Sequence, residues 1–227
     1  KGIFRPVTKY FFFLSAFHAE IRLDTVISLT LPKVKMTEKN ASATHVYDVE
    51  GMSETLKTQT RFLEDLERLD HAIMGVSDME EMLNKTLNTV LKIFDCDRAW
   101  LLYPCDPAAN FWHIHMEVTK PEYPGAFTTG KDIPMTVDAA QAMKAVLDHG
   151  EPLYGNLSAG EPGWDPDDKY GVRAYMLTAI YPRMGKPWEF GLHQCSYARN
   201  WTKDEALLFK KIAVRIGDAL GIFLTIR

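Results

Sequence analysis

Hydrophobic and polar positions change period several times along this chain, and each change marks an element. Residues 20–31, EIRLDTVISLTL, place Ile21, Leu23, Ile27, Leu29 and Leu31 on odd positions among mostly polar neighbours. That two-residue period is a half-buried strand. The period is lost in PKVKMTEKNASATHVYDVEGMSE, which collects Lys, Asn, Ser and Gly as a linker does. Residues 1–50 are therefore expected to be an N-terminal appendage or linker, part of an upstream domain, and residues 53–227 a domain with helical ends.

From Ser53 the spacing becomes helical. Phe62, Leu66, Leu69 and Ile73 recur among Arg61, Glu64, Asp65, Glu67 and Arg68, an amphipathic helix with a heptad-like stripe. Gly75 ends it. Ser77, with Glu80 as capping-box partner, is expected to open a second helix whose stripe is Met79, Leu83, Leu87, Val90 and Phe94. RAWLLYP (98–104) and FWHIHMEVT (111–119) flank the turn formers CDPAAN and predict an antiparallel hairpin. Residues 138–152 predict a helix closed by Gly150 and Pro152, and 155–171 a loop. RAYMLTAIYP and PWEFGLHQCS around RMGK predict a second hairpin. Thr202, with Glu205 three residues on, caps a last helix with the stripe Leu208, Ile212, Ile216, Leu220 and Phe223. Helix, helix, hairpin, helix, loop, hairpin, helix is the order of an α+β domain with an antiparallel sheet.

Composition narrows the classes. A net charge of −4 gives no electrostatic attraction to nucleic acid or to an anionic membrane. The longest apolar run, YFFFLSAF at 10–17, is too short to span a bilayer, which takes about 20 residues. The three cysteines are too far apart for a disulfide framework or a zinc knuckle, so reduced thiols and a cytoplasmic location are expected. Opening on Lys and stopping within a helical pattern, the chain reads as a piece of a longer protein. No phosphate-binding glycine loop, nucleophile elbow or His-Glu-x-x-His motif is present.

The element order and residues 184–221 carry a family likeness. The hairpin MGKPWEFGL, then HQCS, an Arg, W-T-x-D-E and the helix LLFKKIAVRIGDALG resemble the GAF domains of phytochrome-type photoreceptors and bacterial sensor kinases. The resemblance spans roughly residues 55–224. It implies an antiparallel six-stranded sheet with helices on both faces, a ligand pocket on one face and dimerising terminal helices on the other. It further implies a regulatory, non-enzymatic domain of a signalling protein such as a histidine kinase. His193 matches a histidine that bilin-binding members place near the chromophore. The attachment cysteine of those members has no counterpart in 155–172, so a non-covalent small ligand is expected rather than a covalent bilin. Asp204 and Glu205 match an acidic pair of cyclic-nucleotide members. However, His193–Gln194 and Trp201 stand where their Asn-Lys and Phe would be, and Asp204–Glu205 suit a helix first turn.

Within that frame the expected ligand contacts are His193, Tyr175, Arg173, Trp164 and Tyr181, with Trp100, Trp112, Trp188 and Trp201 as packing residues. Strand alternation puts His113 with His115 and His193 with Cys195, a weaker alternative metal set if the two faces coincide. Two competing functions remain: a structural dimerisation module with an empty pocket, and a thiol reductase using Cys96, Cys105 and Cys195. A reductase would need a lowered thiol pKa.

Overall fold

The computed structural model describes residues 49–157 and 170–225. Two long helices open and close this part of the chain, α1 (Val49–Ile73) and α4 (Lys203–Thr225). Between them run α2 (Met79–Phe94), β1 (Arg98–Tyr103), β2 (Phe111–Thr119) and a 3-10 turn at Ala126–Thr129. There follow β3 (Ile133–Pro134), α3 (Val137–His149), β4 (Leu153–Asn156), β5 (Ala174–Ile180) and β6 (Trp188–Gln194). The strands form one antiparallel sheet in the order β3-β2-β1-β6-β5-β4. Both hairpins and the helices expected after residue 53 are present. The short strands β3 and β4 lie where the hydrophobic period gave only loop or helix edge. The expected strand at 20–31 lies outside the described residues.

Alternation along the central strands divides the sheet into two faces. Ala99, Leu101, Ala174, Met176, Ile180, Phe190 and Leu192 point toward α1, α2 and α4 and form the larger core with them. Phe190 stacks on Phe209 of α4 at a centroid distance of 4.3 Å, and Phe94 meets the same ring edge-on. Burying each such side chain is worth about 1.5–3 kcal/mol before chain entropy is set against it. On the other face Trp100, Leu102 and Leu177 meet Met143 and Val146 of α3. With both faces covered, every residue of β6 is buried, which explains why its apolar run is nearly continuous.

Capping chemistry sets the helix ends. Thr202 and Glu205 form the expected reciprocal box: the Glu205 N–H donates to Thr202 Oγ1 at 3.1 Å and the Thr202 N–H to Glu205 Oε2 at 2.8 Å. For α2 the cap is Asp78, not Ser77; its Oδ1 accepts from the Glu81 N–H at 2.9 Å. Both side chains are good caps, and the apolar stripe of α2 decides which one lies at the boundary. Glu80, freed from the expected box, contacts His115 Nε2 at 3.0 Å instead.

Candidate functional site

β1 opens with a charged residue at the head of an apolar strand, and alternation carries Arg98, Trp100 and Leu102 to the α3 face. In the pairing with β6, Arg98 stands opposite His193 and Trp100 opposite Gly191. A Cβ on Gly191 would collide with the Trp100 indole, so the glycine is what lets that ring lie across β6. Trp112, Ile114 and Glu117 of β2, Ala126, Tyr170 and Val172 complete the wall. They line a half-open cavity of about 40 Å³, room for roughly three water molecules. A larger, solvent-open concavity along α1, from Leu56 to Arg68, is formed by one helix and encloses nothing.

Arg98 is 1 % exposed. Its Nη2 donates to the carbonyl oxygens of Tyr123, Pro124 and Tyr170 at 2.7, 3.0 and 3.3 Å. Its Nη1 lies 3.0 Å from His193 Nδ1, and on the other side of that ring Trp100 Nε1 lies 3.2 Å from Nε2. Arg98 Nε and Trp112 Nε1 are buried with no hydrogen-bond partner. The ion-paired arginines among the described residues are Arg61, Arg68, Arg199 and Arg215; buried Arg98 is not one of them.

Electrostatics follow from this enclosure. Burial, helped by the Arg98 charge, holds the His193 pKa well below 6.5, so the ring is neutral at pH 7. Burial raises the pKa of Glu117, opposed by Arg98 and by hydrogen bonds from the Phe127, Gly125 and Ala126 backbone. The Gly125 N–H meets Glu117 Oε1 at 3.1 Å. Lower on the same face, burial pushes Glu189 up to about 7, with the Cys105 sulfur 4.0 Å from its Oε2.

Asp97 anchors the rim. Its Oδ2 accepts from Gln194 Nε2, the Cys195 and Ser196 N–H groups and the Ser196 hydroxyl at 2.7–2.8 Å, and Lys120 reaches Oδ1 at 2.9 Å. Burial alone would raise this carboxyl, but the donors, Ser196 and Lys120 foremost, outweigh it and hold the pKa at about 2. The end of β6 is thereby fixed beside Arg98.

Of the residues expected to contact a ligand, His193 lines the cavity. Tyr175 is its cross-strand partner and packs on the same side of the sheet without lining the cavity. Arg173 is exposed, and Tyr181, 61 % exposed, lies past the end of β5. Trp164 lies outside the described residues. Sequence reasoning assigned Trp100 and Trp112 to packing and did not single out Arg98 or Glu117. An arginine heading RAWLLY, in register with the face of Trp100, was the available signal.

The alternative metal set does not assemble. A bulge opposite Leu101 and Leu102 pairs those residues with Met116 and Ile114, leaving His115 as the extra residue. His115 and His113 turn to the α2 side, where His115 packs edge-on against Trp188 at 4.7 Å and lies 5.9 Å from His113. His193 is on the opposite face. Among the described residues no three His, Cys, Asp or Glu side chains are grouped to hold a metal ion. All three thiols are buried and raised in pKa chiefly by burial, Cys96 to about 12.

No protein-family model matches the sequence, and no curated protein matches it. Solved structures do match. The GAF domain of a phosphoenolpyruvate-protein phosphotransferase from Coxiella burnetii is 10% identical, covering 73% of this chain and 96% of that one with a TM-score of 0.57. A phycoerythrobilin-bound GAF domain from a cyanobacterial phytochrome is 15% identical over 76% of this chain and all of that one, TM-score 0.55. A far-red absorbing dark-state structure with bound biliverdin is 16% identical over 70% and 98%, also at 0.55. With this sheet order, helices on both faces and these likenesses, the described chain has the GAF fold.

Proposed function

We propose that this chain is a ligand-responsive sensory domain of GAF type within a larger cytoplasmic signalling protein, with a histidine kinase as its setting. The observation that carries the reading is a buried cation and a neutral imidazole in a half-open, largely apolar cavity, the usual make-up of a small-molecule site. The similar phytochrome domain holds a phycoerythrobilin on the same fold. Here the Trp100 indole occupies the centre of the face and about 40 Å³ remains, too little for a tetrapyrrole. A non-covalent ligand far smaller than a bilin fits. Thiols held protonated argue against reductase chemistry, so the domain binds its ligand without transforming it.

Transmission would run through α1 and α4 into a second copy. The stripes expected to form a dimer seam are consumed by the domain itself. Leu69, Ile212, Ile216 and Leu220 have no exposed surface, Leu66 and Leu208 are buried, and Phe62, Ile73 and Phe223 pack on the same core. A different set is available: Met52, Leu56 and Leu63 on α1, and Leu207, Val214 and Ile222 on α4, are each 49–66% exposed. The proposed homodimer uses these.

The test is a melting-temperature screen of the purified domain against small metabolites, with sedimentation of the liganded form. A saturable stabiliser that shifts the monomer–dimer balance supports the reading. A domain that carries no ligand from purification and responds to none in the screen is a structural module with an empty pocket.

A further inference from the structure

We infer that the cavity between Arg98 and His193 binds a planar oxyanion of three or four heavy atoms, a small carboxylate or nitrate. This rests on the sensory reading of the same cavity and names its ligand class. A guanidinium is a permanent cation, and a buried charge is costly unless it is paired. Arg98 is 1 % exposed, yet its hydrogen-bonded partners are three backbone carbonyls and an imidazole, not a carboxylate. The carboxylate that shares the cavity, Glu117, is taken by the N–H groups at the start of the 3-10 turn. Glu117 offsets the Arg98 charge at a distance; what the cavity lacks is an acceptor in contact with the guanidinium Nε.

Hydrogen-bond counting points the same way. A neutral imidazole offers one acceptor and one N–H. Both ring nitrogens of His193 face groups that can only donate, Arg98 Nη1 at 3.0 Å and Trp100 Nε1 at 3.2 Å. Either tautomer sets one N–H against another. Arg98 Nε and Trp112 Nε1 add two buried donors without acceptors, and both residues line the cavity. The walls thus carry a surplus of donors, which an acceptor-only ligand relieves. A carboxylate or nitrate, which can only accept, supplies what Arg98 Nε and Trp112 Nε1 lack.

Size and sign narrow the class. About 40 Å³ is roughly three water-sized positions, enough for formate, nitrate or acetate. Phosphate is larger, and as a dianion it would meet the Glu117 carboxylate on the same wall. Leu102, Ile114 and Val172 make part of the wall apolar.

Formate, acetate and nitrate titrated against chloride at constant ionic strength test this on the purified protein, read by tryptophan fluorescence, melting temperature and histidine side-chain ¹⁵N shifts. The expected result is saturable binding of one oxyanion per chain. The His193 ring nitrogens should move while those of His113 and His115, across the sheet, stay put. Phosphate should bind at least tenfold more weakly, and Arg98→Met should abolish saturation. Because that variant can fail to fold, the wild-type ¹⁵N pattern decides alone. No saturable response up to roughly 0.1 M, where surface charge is already screened, or equal shifts of all three histidines, overturns the inference. If the oxyanions fail but denatured protein releases a neutral or larger organic molecule, the ligand class falls and the sensory reading stands. If nothing is released and nothing binds, both fall.

Discussion

At the scale of single residues, Asp97 shows how a buried charge becomes an asset when fully bonded. Its carboxylate accepts from Gln194, Cys195 and Ser196 and pairs with Lys120, whereas neighbouring Arg98 keeps an orphaned Nε. The native Asp97 carboxyl holds its proton more weakly than an unfolded chain's does. Its stabilisation is therefore complete above about pH 4 and is lost as pH falls through about 2. The size is on the order of 2 kcal/mol. Asp97→Asn should lower stability at pH 7 by about that amount and flatten the acid limb of the urea midpoint between those pH values. A variant whose midpoint falls with acid as the wild type's does would show the anchoring to be negligible.

At the scale of elements, the register of β1 on β6 decides the shape of the site. A shift by one residue would turn Arg98, Trp100 and His193 to the helical core, so Gly191 opposite Trp100 is a register-specific pair. Gly191→Ala should cost about 1–3 kcal/mol by overpacking and should displace the indole, changing tryptophan emission. Denaturation together with fluorescence checks both at once; an unchanged spectrum with unchanged stability would mean that the indole has another resting place. The helix caps carry a smaller lesson. The Thr202–Glu205 box was legible from spacing alone. At α2 two adjacent capping residues competed, and the packing of Met79, Met82 and Leu83 chose Asp78.

At the scale of the whole molecule, the sheet has two unlike faces, helices with a large apolar core on one and a small, largely apolar cavity bearing Arg98 and His193 on the other. Any ligand signal must cross the sheet to reach α1 and α4. β6 is the direct route, since His193 lines the cavity while Leu192 and Phe190 pack against the helices. Sedimentation tests the outward end. The wild-type domain should dimerise, and Leu63→Glu or Val214→Glu should give folded monomers. Leu220→Glu should instead unfold the domain, because it places a charge in the core. A wild-type monomer at high concentration removes the proposed seam.

Hydrophobic period and capping residues determined by themselves that this chain makes two opening helices, two long hairpins and a closing helix, because those signals are local. The residues FGLHQCSY and the cap after them also carried the likeness to the GAF fold. What covers each face was decided only by the tertiary structure. A stripe such as Leu208–Ile212–Ile216–Leu220 reads the same whether it meets its own sheet or another chain. The site was legible only at His193. Arg98, Trp100, Trp112 and Glu117 come from strands brought together by antiparallel pairing, and spacing within a strand contains no term for its neighbours. The bulge at His115 likewise separated His113 and His115 from His193, since one extra residue in one strand reassigns faces that alternation alone would have merged.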